Sequence, residues 1–122
     1  MGGSAAGLSA AVVLGRARRS VIVVDDGPAR NAPAAGVHSF LTRDGLSPAE
    51  FVRIGQDEAR SYGAETVPGR AVTTERVPAG FRVVLDDGTA VSGRRLRVAT
   101  GLVDELPDVP GLAERWGTDV LH

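Results

Sequence analysis

The sequence predicts a layered α/β domain that carries a small antiparallel β-meander. A helical pattern of small and apolar residues at 3–18 is followed by Val-Ile-Val-Val, a run typical of a strand buried on both faces of a parallel sheet. A second amphipathic helical pattern begins at residue 47, and short strand patterns separated by turn signals come after it. Helix, strand, helix, meander and strand in this order imply α/β layers.

The first two elements are a helix at 3–18 and a strand at 20–25. Small residues fill the first two helical turns, which favours close packing of that helix on a sheet. The helix face repeats at three and four residues through Leu8, Ala11, Val12 and Gly15. Residues 27–46 are rich in Gly, Pro and Ala and predict a long irregular loop, which in a compact domain is usually functional or disordered.

The second helix has the clearest boundaries. Ser47 stands at the N-cap position, Pro48 at the first helical position, and Glu50 where it can complete a capping box. Gly63 is a natural stop. The apolar face between them consists of Phe51, Ile54, Ala59 and Tyr62.

Strand patterns dominate after residue 64. We predict strands at 66–77, 81–85 and 89–92, separated by Pro-Ala-Gly and Asp-Asp-Gly turns, and a further strand at 94–100 that ends at Gly101. The tail at 107–117 is loop-like, with one helical turn around 112–116. Asp104 and Glu105 are expected to form a solvated acidic pair.

Composition limits the possible chemistry. The 122 residues predict one domain, 1–122, and a net charge of −1 gives no basic surface for nucleic acid or an anionic membrane. The chain has no Cys, which excludes disulfide, thiolate-metal and dithiol redox chemistry on its own residues, and no Lys, which excludes amine nucleophiles. The two His, 38 and 122, lack a ligand pattern, so we expect no metal site. The longest apolar run is too short for a membrane span, and a cytoplasmic location is the default expectation.

The N-terminal residues are a variant of the dinucleotide-binding pattern G-x-G-x-x-G in which Ser4 replaces the second Gly. Small residues let the backbone turn tightly and approach a pyrophosphate, whose charge is stabilised by the N–H groups at a helix N-terminus. The pattern consists of Gly2, Gly3, Ser4, Ala5, Ala6 and Gly7.

Such a pattern needs an acidic residue about 20 positions later to bind a ribose. Asp25 lies 18 residues after Gly7 and ends the apolar strand. Asp26 is a competitor, but Asp25 is nearer the carboxyl end of the strand, where α/β sheets bind ligands. The alternative is a flexible N-terminus with Asp25 as a solvated turn residue.

With these motifs in place, the chain resembles the FAD-dependent oxidoreductases of the thioredoxin-reductase-like family over essentially its whole length. The resemblance rests on Gly-Gly-Ser-Ala-Ala-Gly-Leu-Ser-Ala-Ala from Gly2, Val-Val-Asp at 23–25, Arg30-Asn31, His-Ser-Phe-Leu-Thr-Arg-Asp-Gly at 38–45, Val-Ala-Thr-Gly at 98–101, Leu106-Pro107 and Pro110-Gly111. It implies a Rossmann-like FAD-binding domain with a small β-meander.

The resemblance also implies roles for particular residues. The pyrophosphate would lie on the glycine pattern, and Asp25 would hold the adenosine ribose. Arg30 and Asn31 would border the flavin side. The turn formed by Ala99, Thr100 and Gly101 would pack against the cofactor. No catalytic residue is implied within this chain.

Members of this family have a strand before the glycine pattern, and a pyridine-nucleotide domain with a Cys-x-x-Cys beyond the matching region. The resemblance therefore implies an incomplete FAD-binding domain, truncated at both ends, of an enzyme that passes hydride from NAD(P)H to flavin and on to a disulfide or another acceptor. A non-catalytic nucleotide-binding or interaction module and a remnant without activity are the alternatives. We expect the isolated chain to bind FAD weakly or not at all and to self-associate, for example as a homodimer, through open sheet edges.

Overall fold

The computed structural model describes residues 1–117, 119 and 120. Position 122, the end of the predicted domain and its second histidine, lies outside the described residues. The elements in chain order are α1 (Ala5–Arg16), β1 (Ile22–Asp25), α2 (Pro48–Ser61), β2 (Glu65–Pro68), β3 (Ala71–Val77), β4 (Gly80–Leu85), β5 (Ala90–Gly93) and α3 (Leu112–Arg115). The predicted α/β class with a meander is confirmed, and residues 27–46 contain no helix or strand.

Strand β1 lies at the centre of the packing. It pairs in parallel with β2, from Ile22 opposite Glu65 to Asp25 opposite Pro68. Val23 and Val24, each 5% exposed, point to opposite faces of the strand and enter two different hydrophobic clusters. The prediction that β1 is buried on both faces is confirmed.

The two clusters form the layers on either side of β1. On one face α1 and α2 supply the buried residues, and on the other the meander supplies them. Burying side chains of this size stabilises the fold by roughly 1.5–3 kcal/mol for each fully buried Val or Leu. The first cluster contains Leu8, Ala11, Val23, Ala59 and Ala64, and the second Val24, Val83 and Leu85.

Helix α2 begins as its sequence predicts. The Ser47 Oγ accepts a hydrogen bond from the Glu50 N–H at 3.2 Å, and Pro48 occupies the first turn. The Glu50 carboxylate accepts from Arg53 at 2.9 Å rather than turning back to the cap. One half of the predicted capping box is therefore formed.

The single strand predicted at 66–77 is wrong, because two strands occupy that region. Pro68 has no N–H for a ladder, and Gly69 has a φ of +143°, so the backbone turns between them. β2 joins β1 in the parallel pair, whereas β3 pairs with β4, and β4 with β5, in the antiparallel meander.

The strand predicted at 94–100 is also wrong. This segment has no strand structure, although two backbone hydrogen bonds join it to Met1: the terminal ammonium donates to the Arg97 carbonyl and Ala99 N–H donates to the Met1 carbonyl, both at 2.8 Å. Gly2 N–H donates to the Val24 carbonyl, also at 2.8 Å. Met1 and Gly2 thus lie between β1 and residues 97–99. The hydrogen bonds of residues 97 and 99 reach Met1 alone, and bonds to one residue are too few to form a ladder.

Candidate functional site

The turn formed by residues 2–7 depends on close contact between backbone segments. Gly2 has a φ of +97°, and a methyl group on it would overlap the Ala99 carbonyl. A methyl group on Gly7 would overlap the carbonyl oxygen of Gly2. The geometry therefore confirms that this turn requires small residues. We call residues 2–7 the glycine turn.

The first turn of helix α1 lies within the glycine turn, and its backbone N–H groups have no acceptor within the helix. Leu8 N–H donates to the Ser4 carbonyl at 2.9 Å and so closes the first helical turn. Ser4 is the N-cap, but its side chain makes no capping hydrogen bond, and the first turn carries no acidic residue. The positive end of the helix dipole is thus left uncompensated by the helix's own side chains, which favours an anion there.

Asp25 lies against the glycine turn. Gly3 N–H donates to the Asp25 Oδ1 at 2.7 Å, and the Asp25 Cγ would stand only 2.6 Å from a methyl group on Gly3. The Asp25 carboxylate, the acid that the pattern requires, therefore faces the start of the first helix. Burial lowers the pKa of the Met1 ammonium, and the charge of Asp25 partly opposes that shift.

Two cavities of about 430 Å³ each flank Asp25 and the glycine turn. Their volumes fall within the usual range for small-molecule sites. The walls of both include Gly27 and Gln56, so the cavities adjoin. The first is lined mainly by polar residues, among them Asp25, Asp26, Arg70 and Asp86. The second is mainly apolar and is lined by Gly3, Ser4, Pro28, Ala29, Ala32 and Val52, among others.

Arg30 and Asn31 lie in the irregular loop and line neither cavity. Arg30 instead forms an ion pair with Asp104, and that hydrogen bond raises the pKa of the guanidinium. Asn31 is exposed. The expectation that Asp104 belongs to a solvated acidic pair is wrong, because its side chain is 23% exposed and accepts three hydrogen bonds from Arg30.

The turn at residues 99–101 approaches the glycine turn at Gly2. Ala99 contacts Gly2 through its carbonyl, and its Cβ would lie 3.9 Å from a methyl group on Gly7. Thr100 is exposed, and Gly101 has a φ of +69°. The structure therefore brings Ala99 together with the glycine turn and Asp25.

Sequence reasoning missed Gln56 and Asp104. Gln56 lies on α2 and lines both cavities, a position set by how α2 packs and by no local pattern. Asp104 is 74 residues from its partner Arg30, and no spacing rule relates residues that distant.

Two further features are absent from the described residues. No group of three or more His, Cys, Asp or Glu side chains there could hold a metal ion. No helix in the same part of the chain has the length and apolarity to cross a membrane.

The chain is similar to known thioredoxin reductases. No protein-family profile matches it. A thioredoxin reductase, sirT, of Leptosphaeria maculans is 36% identical over 100% of this chain and 38% of its own length. The crystal structure of HlmI superposes with a TM-score of 0.93 at 50% identity, covering 99% of this chain and 39% of HlmI. The putative thioredoxin reductase TrxB of Bacillus anthracis gives a TM-score of 0.90 at 35% identity, covering 96% of this chain and 40% of TrxB.

The chain thus spans about two fifths of the length of the curated relatives it matches. This chain, with its α/β layers, parallel strand pair and meander, has the same fold as the matching parts of these proteins. That agreement confirms the Rossmann-like class. The sequence match covers 100% of this chain and the structural match 99% of it. Over the portion that it spans, the chain is similar in both sequence and fold to thioredoxin reductases.

Proposed function

We propose that this chain forms the FAD-binding part of a pyridine-nucleotide-dependent flavoprotein oxidoreductase. Bound FAD would supply the redox chemistry, in which hydride passes from NAD(P)H to the flavin and then to a disulfide or another acceptor. The observation that carries the proposal is the hydrogen bond from Gly3 to Asp25 at the start of α1. It supports the proposal because it holds a carboxylate that could bind a ribose beside a turn whose N–H groups could bind a pyrophosphate.

The pyrophosphate would lie on the glycine turn. The N–H groups of the first turn of α1 would donate to its oxygens, and the Ser4 hydroxyl, which is not used as a cap, could add another hydrogen bond. Gly3 is buried against Asp25, so a larger side chain would fill the space between turn and carboxylate. The proposed pyrophosphate-binding residues are Gly2, Gly3, Ser4, Ala5, Ala6 and Gly7.

Asp25 would hold the adenosine ribose. Its Oδ1 already accepts from Gly3, which fixes the orientation of the carboxylate and leaves Oδ2 for ribose hydroxyls. The first cavity adjoins this carboxylate and would take the adenine side. Asp26 lines the same cavity but is exposed, which favours Asp25 for the ribose.

The flavin side would lie towards the second cavity and the turn at residues 99–101. The contact of Ala99 with Gly2 supports a border formed by Ala99, Thr100 and Gly101. Arg30 and Asn31 would border the same side from the irregular loop. The role of Arg30 there would be indirect, because its side chain binds Asp104.

Saturable but weak binding of FAD is the expected result when the purified chain is titrated and flavin fluorescence is followed. The exposure of apolar residues such as Val98, Leu102 and Val103, at 63%, 69% and 90%, supports the expectation of weak binding and of self-association. We expect a dissociation constant above about 1 µM, which corresponds to about −8 kcal/mol.

The nucleotide half of FAD should dominate this binding. ADP should therefore displace FAD from the chain, whereas FMN, which lacks that half, should not. Sedimentation run in parallel identifies the monomeric fraction. Equal competition by FMN, or no saturable binding at millimolar FAD, would contradict the proposal, and submicromolar binding by the monomer would contradict its expected weakness.

Disulfide reduction by this chain alone is not expected. It contains no Cys, so its own residues cannot exchange with a disulfide, whatever cofactor is bound. Release of thiol from a disulfide acceptor should stay at the buffer level when the chain, FAD and NADPH are combined. Turnover above that level in a preparation free of other flavoproteins would show that this account of the chain's chemistry is wrong. NADPH oxidation by FAD-loaded chain without disulfide would separate an electron-transfer segment from a non-catalytic binding module.

A further inference from the structure

The ion pair between Arg30 and Asp104 connects two irregular segments that are far apart in the sequence. Arg30 Nε donates to both carboxylate oxygens of Asp104, at 3.0 and 2.8 Å, and Nη2 donates to Oδ1 at 2.7 Å. By contrast, Arg53, Arg60 and Arg82 pair with acids of their own helix or sheet. The fork of hydrogen bonds fixes both the distance and the orientation of the two segments.

Two further contacts support the same junction. The indole Nε1 of Trp116 lies 3.4 Å from the Asp104 Oδ2, so the tail closes over the carboxylate. Gly117 approaches Pro33 of the loop, and a methyl group on it would stand 3.1 Å from the Pro33 Cβ. The side chains of Arg30 and Asp104 are 31% and 23% exposed, so the pair remains accessible to solvent. We call the Arg30–Asp104 pair with Trp116 the clasp.

The loop that the clasp holds is also a wall of the second cavity. Gly27, Pro28, Ala29 and Ala32 line that cavity together with Gly3 and Ser4. These loop residues belong to no helix or strand, so no ladder of backbone hydrogen bonds sets their position. Arg30 lies within this wall segment, and its bond to Asp104 joins the wall to a second irregular segment of the chain.

From this arrangement we infer that Arg30 and Asp104 are positioning residues, which fix residues 27–34 as the wall of the second cavity and thereby slow the departure of a bound dinucleotide. This inference rests on the proposed function for the identity of the ligand, but the ordering of the wall does not require a ligand. The clasp depends on the charge of Arg30 and on the several hydrogen bonds that its planar guanidinium donates. The Arg30→Lys variant keeps the charge but not this geometry, so it should fix the position of the wall only partly.

The test measures wall order and ligand release separately. Amide hydrogen exchange at residues 29–34 reports the wall in the ligand-free chain, and the emission of Trp116, the only tryptophan of the chain, reports closure over Asp104. We expect Asp104→Asn and Arg30→Gln each to speed exchange by about tenfold and to shift the Trp116 emission. Arg30→Lys should have a smaller effect. The double variant should be no worse than either single variant, because both remove the same interaction.

The matched control is Arg82→Gln, which breaks the exposed pair with Glu75 on the meander and should leave the exchange at 29–34 unchanged. In FAD-loaded samples the two clasp variants should release flavin about three- to tenfold faster than the control. Unchanged wall exchange in both clasp variants would overturn the inference. If the unaltered chain fails to bind FAD while the clasp variants still loosen the wall, the proposed function fails and the ordering role stands.

Discussion

In the Gly7→Ala variant we expect the free energy of unfolding to fall by about 1–3 kcal/mol or more, the range for overpacking a tight site. The added methyl group would overlap the carbonyl oxygen of Gly2. Gly2 cannot retreat, because its own Cα faces the Ala99 carbonyl and its N–H donates to Val24. The glycine turn must therefore open, and FAD binding should be lost with it.

A second glycine-to-alanine substitution provides the control. Gly55 lies inside α2, where a methyl group would stand 3.0 Å from the Leu8 Cδ1, the tip of a side chain that can shift. Alanine is favoured over glycine in a helix by about 1 kcal/mol, so Gly55→Ala should be close to neutral. Urea unfolding measures both variants. Equal stability of Gly7→Ala and the control would show that the glycine turn is not closely packed.

The Asp25→Ala variant should lose FAD affinity by about 10- to 100-fold, the value of hydrogen bonds to a charged group. It should also be less stable by roughly 1–3 kcal/mol, because the N–H of Gly3 loses its acceptor in a partly buried position. Asp25→Asn separates the two effects. Its amide oxygen can still accept from Gly3 and so should preserve stability, while the charge that favours ribose hydroxyls is removed.

The neighbouring acid is the control for Asp25. Asp26 lines the same cavity but is exposed, and we expect Asp26→Ala to change FAD affinity and the free energy of unfolding by little. Flavin fluorescence and urea unfolding measure all three variants. If Asp25→Ala binds FAD as the unaltered chain does, or if Asp26→Ala shows the larger loss, Asp25 is not the ribose ligand.

The sequence allowed prediction wherever a local pattern determines the structure. Three features were predictable because each has a local physical cause. They are the apolar run at β1, the cap of α2 and the small residues of the glycine turn. The position of Asp25 beside the glycine turn was predictable, because a strand end and a helix start meet at the edge of a parallel sheet. The structure confirms that meeting through the bond from Gly3.

Prediction failed for three features. Residues 66–77 carry β-branched residues at both ends, but the turn at Pro68 and Gly69 divides them between two sheets. Residues 94–100 also favour a strand, yet their backbone bonds go to Met1. The clasp joins residues 74 positions apart, so only the folded arrangement brings the two charges together.

The most direct test of the central claim is a map of backbone amide shifts by ¹⁵N–¹H NMR as FAD is added to the labelled chain. The account predicts the largest shifts at the glycine turn and Asp25, with smaller ones at residues 27–32 and 99–101, and the same pattern at the glycine turn with ADP. NMR follows weak binding well, so a dissociation constant above micromolar does not hinder the measurement. Shifts confined to the meander, or no shifts at millimolar FAD, would contradict the claim that this chain cradles the nucleotide half of FAD.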